Sequence, residues 1–331
     1  MFELVFLGTS ASAPSVHRGL SAAAVLAGEE RFLVDCGEGT QRQILRAGIG
    51  FKRLNRILLT HAHLDHILGV AGIVSTYTRW ETMADVHIWG SPHTIDRVRS
   101  LLYSVVLPTR TSTIPLNLHE IDRPGLIYES KAFTISAFPV VHRGRGCLGY
   151  VFQERDHRPF LADKAEALGV PFGPERGLLV RGQSVTLADG RIVHPDDVLG
   201  ETIRGTKVVF TGDTAQTDNL RAAVAGADAL VIEATFLQQD AELAAAYGHI
   251  TAAQAATLAA ETGVKGLLLN HVSRRYSEKQ MIAEAQSIFP TAYVVRDLDR
   301  FRVGRGVPLE KLEVDPNAEL EDDLSDEEGI Y

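Results

Sequence analysis

Three imidazoles and one carboxylate fall within six residues at His61-Ala62-His63-Leu64-Asp65-His66, directly behind Thr60. The run follows Arg56-Ile57-Leu58-Leu59, a short apolar segment that reads as a buried strand ending there. Imidazole suits zinc and its neighbours, and a carboxylate can serve either a metal or a proton. Alternate side chains of an extended segment share a face, so His61 and His63 can grip one ion. Beyond the turn, Asp65 and His66 point elsewhere and can hold a second. A polar turn with surface histidines is the plainer reading, but burying so many imidazoles without a metal is costly.

The same arrangement recurs downstream, where strand-like segments end on chemically competent residues. Pro139-Val140-Val141 leads to His142, Lys207–Phe210 to Asp213, and Leu267–Leu269 to His271. This layout places a site on one rim of stacked sheets. We assign His61, His63 and His142 to one ion and Asp65, His66 and His271 to the other, with Asp213 bridging. Ions roughly 3.5–4 Å apart can share a water and lower its pKa toward neutrality. Asp65 can orient the nucleophile or take its proton. His249 is the candidate donor to a leaving oxygen, with Glu233 holding its tautomer. Asp35 reads either as a buttress of the metal site or as a helix-start acid.

The elements around these residues indicate an α/β chain (α+β type). Phe2–Leu7, Ala22–Ala27 and Arg31–Val34 read as strands, and a helix follows to about Ala47. Helices are expected at Ile67–Arg79 and from Pro92 to about Val106, with a strand at Val86–Trp89 between them. From Gln153 to about Gly205 the character changes to charges, turns and prolines, with weak strands at Leu178–Val180 and Ser184–Leu187. This stretch reads as an insertion projecting from a compact body. His87, His93, His119, His157 and His194 are expected to be solvated.

The chain has 331 residues and a formal charge of -9. The segment 310–331 holds ten acids and one Lys, which is also -9, so the remaining body is formally neutral (-9 minus -9). The acidic total therefore does not exclude a nucleic-acid partner. We expect one domain over residues 1–308, with the insertion at about 153–205, and an acidic disordered tail over 309–331. Cys36 and Cys147 read as buried free thiols, which excludes a Cys-x-x-Cys zinc framework. Met1–Gly8 lacks a basic leader and no apolar run reaches membrane-spanning length, so the expectation is a soluble cytoplasmic protein with no membrane partner.

The histidine run with His142, Asp213 and His271 resembles the metallo-β-lactamase superfamily. Asp35-Cys36-Gly37-Glu38-Gly39-Thr40-Gln41, Glu233-Ala234-Thr235-Phe236, Tyr247-Gly248-His249-Ile250-Thr251 and Gly173-Pro174 within the insertion are similar to ribonuclease Z, the endonuclease that matures the 3′ end of transfer RNA. The resemblance runs from Phe2 to about Val303. It implies a four-layer αββα sandwich, two zinc ions per subunit, a homodimer, and Asp65 as proton acceptor, with Thr235 in support. It also implies that the insertion, with Gly173, Pro174 and Arg176, clamps the elbow of precursor tRNA, usually at the partner subunit's site. Cleavage would follow the discriminator base, leaving a 3′-hydroxyl on the tRNA and a 5′-phosphate on the trailer.

Two departures stand out. The family's Pro-x-Lys-x-Arg-Asn loop, tied to where the cut falls and to tolerance of a CCA end, reads Pro14-Ser15-Val16-His17-Arg18-Gly19 here. Only Pro14 and Arg18 match, and Arg18 is retained as a substrate contact. The His-Glu-Ala-Thr box begins with Ile232 instead of His. The competing readings are a small-molecule phosphodiesterase or thioesterase of the same fold, and a non-catalytic RNA-binding protein.

Overall fold

The computed structural model describes residues 1–80, 83–107 and 111–313. It divides into two units, one formed by the segments up to Gln153 and from Thr206 onward, the other by Glu154–Gly205. In chain order the strands are β1 (Phe2–Gly8), β2 (Ala22–Ala27), β3 (Glu30–Val34), β4 (Arg56–Leu58), β5 (Val86–Gly90), β6 (Leu116–Glu120), β7 (Gly125–Glu129), β8 (Phe133–Pro139), β9 (Leu148–Glu154), β10 (Val185–Thr186), β11 (Ile192–Val193), β12 (Lys207–Phe210), β13 (Ala229–Glu233), β14 (Leu267–Asn270), β15 (Ala292–Val294), β16 (Arg300–Val303) and β17 (Glu310–Leu312). In the larger unit an eight-stranded sheet runs β17-β16-β1-β2-β3-β4-β5-β6, and a seven-stranded sheet runs β15-β14-β13-β12-β9-β8-β7.

Side chains alternate across a strand, and here both faces are apolar. Phe2, Leu4 and Phe6 of β1 point into a core shared with Phe152, Phe210 and Leu268 of the other sheet, while Val5 and Leu7 face a second core. That second core takes Ile44, Val70, Ile73 and Ile95 from the helices Thr40–Arg46, Gly69–Trp80 and Pro92–Leu101. Beyond the seven-stranded sheet, Leu230, Ile232, Leu267 and Leu269 meet Ala255, Ala256 and Met281 of the helices Ala252–Glu261 and Glu278–Gln286. The order is helix, sheet, sheet, helix. The central layer is tied by edge-to-face rings such as Phe2 on Phe133, centroids 5.7 Å apart, and Phe32 on Phe152, also 5.7 Å.

Strands β3, β4 and β5 run parallel, as do β12, β13 and β14. Parallel strands bring several carboxyl ends to one edge, the place where open α/β sheets present ligand-binding loops. The two sheets are joined at that edge. The Leu148 amide donates to the Thr60 carbonyl, and the Tyr150 hydroxyl donates to the Leu59 carbonyl at 2.6 Å.

The unit Glu154–Gly205 has its own small core of Ala165, Val170, Leu179, Val185, Val193 and Val198. Leu178–Val180, expected as a strand, is instead the end of the helix Pro174–Val180. Pro174 sits in the first turn, where its fixed φ favours helix, and this outweighs the β-like apolar run. Of the expected strand Ser184–Leu187, only Val185–Thr186 is paired, with Ile192–Val193.

The tail expectation also needs correction at its start. Glu310–Leu312 pairs antiparallel with β16, supported by Arg302–Glu310 at 3.0 Å and Lys311–Asp299 at 2.7 Å. An open sheet edge with complementary charges outweighs poor apolar content. The rest of the acidic tail, 314–331, lies outside the described residues. Among the described residues no helix is long and apolar enough to cross a membrane.

Candidate metal centre

The loops after β3, β4, β8, β12 and β14 deliver Asp35, the histidine run, His142, Asp213 and His271 to a common point. Ligand atoms of His61, His63, His142 and Asp213 lie within 4.8 Å of one another, and so do those of Asp65, His66 and His271. Asp213 Oδ2 is 3.8 Å from Nε2 of His61 and of His142, 3.5 Å from His66 Nε2 and 3.4 Å from His271 Nε2. One carboxylate oxygen thus faces both triads. Asp65 Oδ2 lies 3.4 Å from His271 Nε2 and 3.7 Å from His66 Nε2.

The outer nitrogens settle which face of each ring is available. His66 Nδ1 is 2.8 Å from Asp35 Oδ2, and His142 Nδ1 is 2.6 Å from the Gly248 carbonyl. Both partners only accept, so both Nδ1 atoms carry the hydrogen. His61 Nδ1 meets Thr60 Oγ1 at 3.0 Å, and that hydroxyl already donates to Asp35. His271 Nδ1 meets Thr235 Oγ1 at 2.9 Å, and that hydroxyl donates to Glu233 Oε2 at 2.6 Å. In each case the hydroxyl accepts from the ring. Four imidazoles therefore turn Nε2 lone pairs inward, the arrangement a divalent ion requires. His61 Nε2 and His66 Nε2 are buried without any hydrogen-bond partner. Such orphaned atoms are rare in proteins and fit a metal donor set. The His/Asp clusters can bind metal.

Burial is the largest influence on His61, His63 and His142 and pushes all three below the usual imidazole range, toward the neutral form that coordinates. Asp213 is also buried, which alone would raise it, but His271, His66 and His61 hold it well below the carboxylate range. Burial likewise opposes ionisation of Asp65, and the His271 hydrogen bond with nearby imidazoles outweighs it. For His66 burial opposes the proton, but Asp213 and Asp35 hold its pKa well above normal. Metal binding there would displace that proton.

Backbone strain collects at the centre. Asp35 and His271 adopt φ of 58° and 53°, a left-handed conformation that is uncommon outside glycine. It persists where surroundings over-determine it, as at functional sites. Asp35 accepts the Thr60 amide at 2.8 Å and the His66 Nδ1–H.

His249 sits at the edge, 4.0 Å from Asp213 Oδ2. Its Nδ1 lies 2.9 and 3.0 Å from the two oxygens of Glu233, which also accepts the Thr214 amide at 2.7 Å. Burial works against an imidazolium here, but Glu233 and then Asp213 outweigh it and hold His249 up at about 9.

Arg18 needs correction as a substrate contact. Its side chain is only 15% exposed, with the guanidinium donating to Thr9 Oγ1, the Val295 carbonyl and Glu278. In the smaller unit, Gly173 has φ 144° and precedes the helix opened by Pro174. Arg176 donates to the Pro171 and Val170 carbonyls and lies 3.9 Å over the Phe172 ring, which is 88% exposed. His93, His157 and His194 are exposed, but His87 and His119 are half-buried. Both stack on Trp89, and His87 Nδ1 is 2.9 Å from His119 Nε2. Cys36 and Cys147 are buried and free. Thr60, Thr214 and the Gly248 carbonyl were not singled out from sequence. Thr60 adjoins the histidine run, which is a signal, but a backbone carbonyl has none.

A family model described as Anti-Pycsar protein Apyc1 matches residues 2–146, and one described as Beta-lactamase superfamily domain matches residues 167–272. Among solved structures, human tRNase Z, short form, is 22% identical with a TM-score of 0.63, covering 91% of this chain and 99% of that one. The metallo-β-lactamase fold protein YhfI from Bacillus subtilis is 17% identical with a TM-score of 0.63, over 90% of this chain and 98% of that one. These likenesses establish the metallo-β-lactamase fold. The ribonuclease Z of Bradyrhizobium sp. (strain ORS 278) is 52% identical over 92% of this chain and the whole of that protein. Identity at that level, carried through a relative's full length, is more than a shared fold: the chain belongs to the ribonuclease Z family of metal-dependent endoribonucleases.

Proposed function

We propose that the protein is a zinc-dependent endoribonuclease that removes the 3′ trailer from precursor tRNA in the cytoplasm, holding two zinc ions per subunit and working as a homodimer. The observation that carries this reading is the set of four imidazoles whose tautomers are all fixed with Nε2 facing Asp213. His61, His63 and His142 would hold one ion, Asp65, His66 and His271 the other, with Asp213 between them. When bound, such ions lower the pKa of a water and neutralise phosphate oxygens.

The chain's own groups supply the proton traffic. Asp65, ionised at neutral pH, receives a proton from the attacking water as its oxygen bonds to phosphorus. The P–O3′ bond breaks, leaving a 3′-hydroxyl on the tRNA and a 5′-phosphate on the trailer. His249 donates the proton to that O3′, with Glu233 keeping Nδ1–H occupied so that Nε2 faces outward. The unit Glu154–Gly205, with Gly173, Pro174 and Arg176, is the elbow-binding arm. A neutral body can grip a folded RNA through shape and local phosphate contacts.

The test is a precursor tRNA labelled at each end in turn. Zinc-loaded protein should release one trailer with a 5′-phosphate, and chelator should stop cleavage while RNA binding persists. Zinc-loaded protein that binds the precursor but never cuts it would remove the enzyme reading.

A further inference from the structure

The segment between β1 and β2 reaches the metal centre, and its base is held by a half-buried carboxylate that the proposed chemistry does not use. Asp297 Oδ1 accepts the Thr9 hydroxyl at 2.7 Å. Its Oδ2 accepts the Gly19 amide at 2.6 Å and the Gln43 side-chain amide at 2.9 Å. Thr9 and Gly19 are the two ends of this excursion and are bonded to each other, the Thr9 amide donating to the Gly19 carbonyl at 3.0 Å. A single side chain, from the connection between β15 and β16, thus closes the loop at its neck. Arg18 lies beside it, bridging the Thr9 hydroxyl to Glu278, and Glu278 is also bound by Arg296 at 2.7 Å.

From this neck the chain has three residues in which to reach the site. The Val272 amide donates to the Thr9 carbonyl at 2.9 Å, and the Ala11 amide donates to the Val272 carbonyl at 3.1 Å. The loop is thereby stitched to the residue after His271. Ser10 Oγ donates to the Ala13 carbonyl at 2.7 Å, turning the chain. The Ser12 amide then donates to Asp65 Oδ2 at 3.0 Å. Ser12 makes this contact at φ 56°, on the unfavourable side for a residue with a Cβ. That conformation is unfavourable and survives only where neighbours impose it.

We infer that Asp297 is a positioning residue for the reaction, acting through the Thr9–Gly19 neck to hold the Ser12 amide on Asp65. Its hydrogen-bond partners are Thr9, Gly19 and Gln43, none of them a proposed metal ligand. Its effect is to pin Asp65 Oδ2, the oxygen that lies 3.4 Å from His271 Nε2, and so to keep the carboxylate in one rotamer with Oδ1 left free of that contact. The inference rests on the role proposed for Asp65, and small misplacements at a reacting centre cost up to about a hundred-fold in rate.

The test compares Asp297→Ala, Asp297→Asn, Thr9→Val and Thr9→Ser, all zinc-loaded and full length. Cleavage of labelled precursor tRNA should show kcat about ten-fold lower or more in Asp297→Ala and Thr9→Val, with KM held within about two-fold, because RNA affinity is mostly phosphate contact elsewhere. Thr9→Ser restores the rate because it keeps the hydroxyl. Asp297→Asn falls between, since one oxygen remains to accept. Zinc affinity, read by competition with a chromogenic chelator, should weaken about ten-fold in the same order. That readout needs no substrate, so it stands even if the wild-type protein proves not to cut tRNA. A lowered melting temperature with unchanged kcat and zinc affinity would overturn the inference and reduce Asp297 to a structural brace. If Asp297→Ala does not fold, the Thr9→Val and Thr9→Ser pair decides: equal rates and zinc affinities in the two would overturn it.

Discussion

Asp35→Asn isolates the outer ring of the metal centre. Asp35 adopts φ 58°, and Asn is among the residues that tolerate that region best, so the backbone is not the perturbed quantity. Volume is also preserved. What changes is one acceptor. Asp35 Oδ2 accepts His66 Nδ1–H at 2.8 Å, while Oδ1 accepts the Thr60 amide at 2.8 Å and both oxygens meet the Thr60 hydroxyl. Asn keeps the Thr60 side with its oxygen and must then turn its NH2 toward His66. The imidazole either faces a donor with its own Nδ1–H or flips its hydrogen to Nε2, the nitrogen it turns toward Asp213 at 3.5 Å. The first choice loses a charge-assisted hydrogen bond, about 1.5–3 kcal/mol. The second removes His66 from coordination. The wild-type charge also raises the basicity of the ligand, and losing such outer partners costs roughly 10–100-fold in metal affinity, or about 1.4–2.8 kcal/mol. Chelator competition on folded protein should therefore show the more weakly held zinc released about 30-fold more readily. Activity should return as free zinc is raised, and the stabilisation by zinc should shrink by about 2 kcal/mol at fixed zinc. Equal zinc affinity in wild type and Asp35→Asn, with both folded, would refute the claim that the outer ring sets the tautomers.

The remaining expectations follow from other parts of the structure. His249 is held at about 9 with Glu233 as the main support against burial, so the proton-bearing form exists below that value and is lost as pH rises through it. Bound cations pull the limit down, so the alkaline limb of the kcat profile should lie at or below about 9, and Glu233→Gln should move it down by about one unit or more; superimposable limbs would remove the pair from the mechanism. His249→Ala should lower kcat about 10²–10⁴-fold with zinc content at the wild-type level. Gln153 pairs with Lys207 across β9 and β12, so a short turn can replace the Glu154–Gly205 unit. That deletion should abolish precursor cleavage yet spare hydrolysis of bis-p-nitrophenyl phosphate, and loss of neither activity would sink the clamp. At Gly69 an added Cβ would lie 2.0 Å from the Gly37 carbonyl oxygen, and the Gly69 amide is tied to the Cys36 carbonyl at 2.8 Å. Gly69→Ala should therefore cost about 1–3 kcal/mol in thermal denaturation of the zinc form, and an unchanged melting temperature would contradict the packing at that contact.

What sequence reveals here depends on how far apart the partners lie. Strand periodicity and the residues just past each strand end are local, and they point to His61, His63 and His142, to Asp65, His66 and His271, and to Asp213 as the residues to look for at one rim. Arg18 shows the opposite case. In the sequence it is a cation in a loop beside a departure from a family pattern. In space its partners are Thr9, Val295 and Glu278, up to 277 positions away, so the charge is consumed inside the fold. Leu178–Val180 failed for another reason: a short apolar run fits strand and helix alike, and only Pro174 in the first turn distinguishes them. Glu310–Leu312 is an edge effect, since its pairing depends on the open side of β16 more than on its own composition. The same separation runs through the metal centre. Ligand identity can be read from strand ends, but ligand tautomer is decided by Asp35, Thr60, Thr235 and the Gly248 carbonyl, and two of these act only because Asp35 and Glu233 first commit the threonine hydroxyls as donors. The rings of His61, His66, His142 and His271 are thus set by hydrogen-bond partners behind them. A chain carrying all seven donors without Asp35 and Glu233 would leave the tautomers of His61, His66 and His271 undetermined.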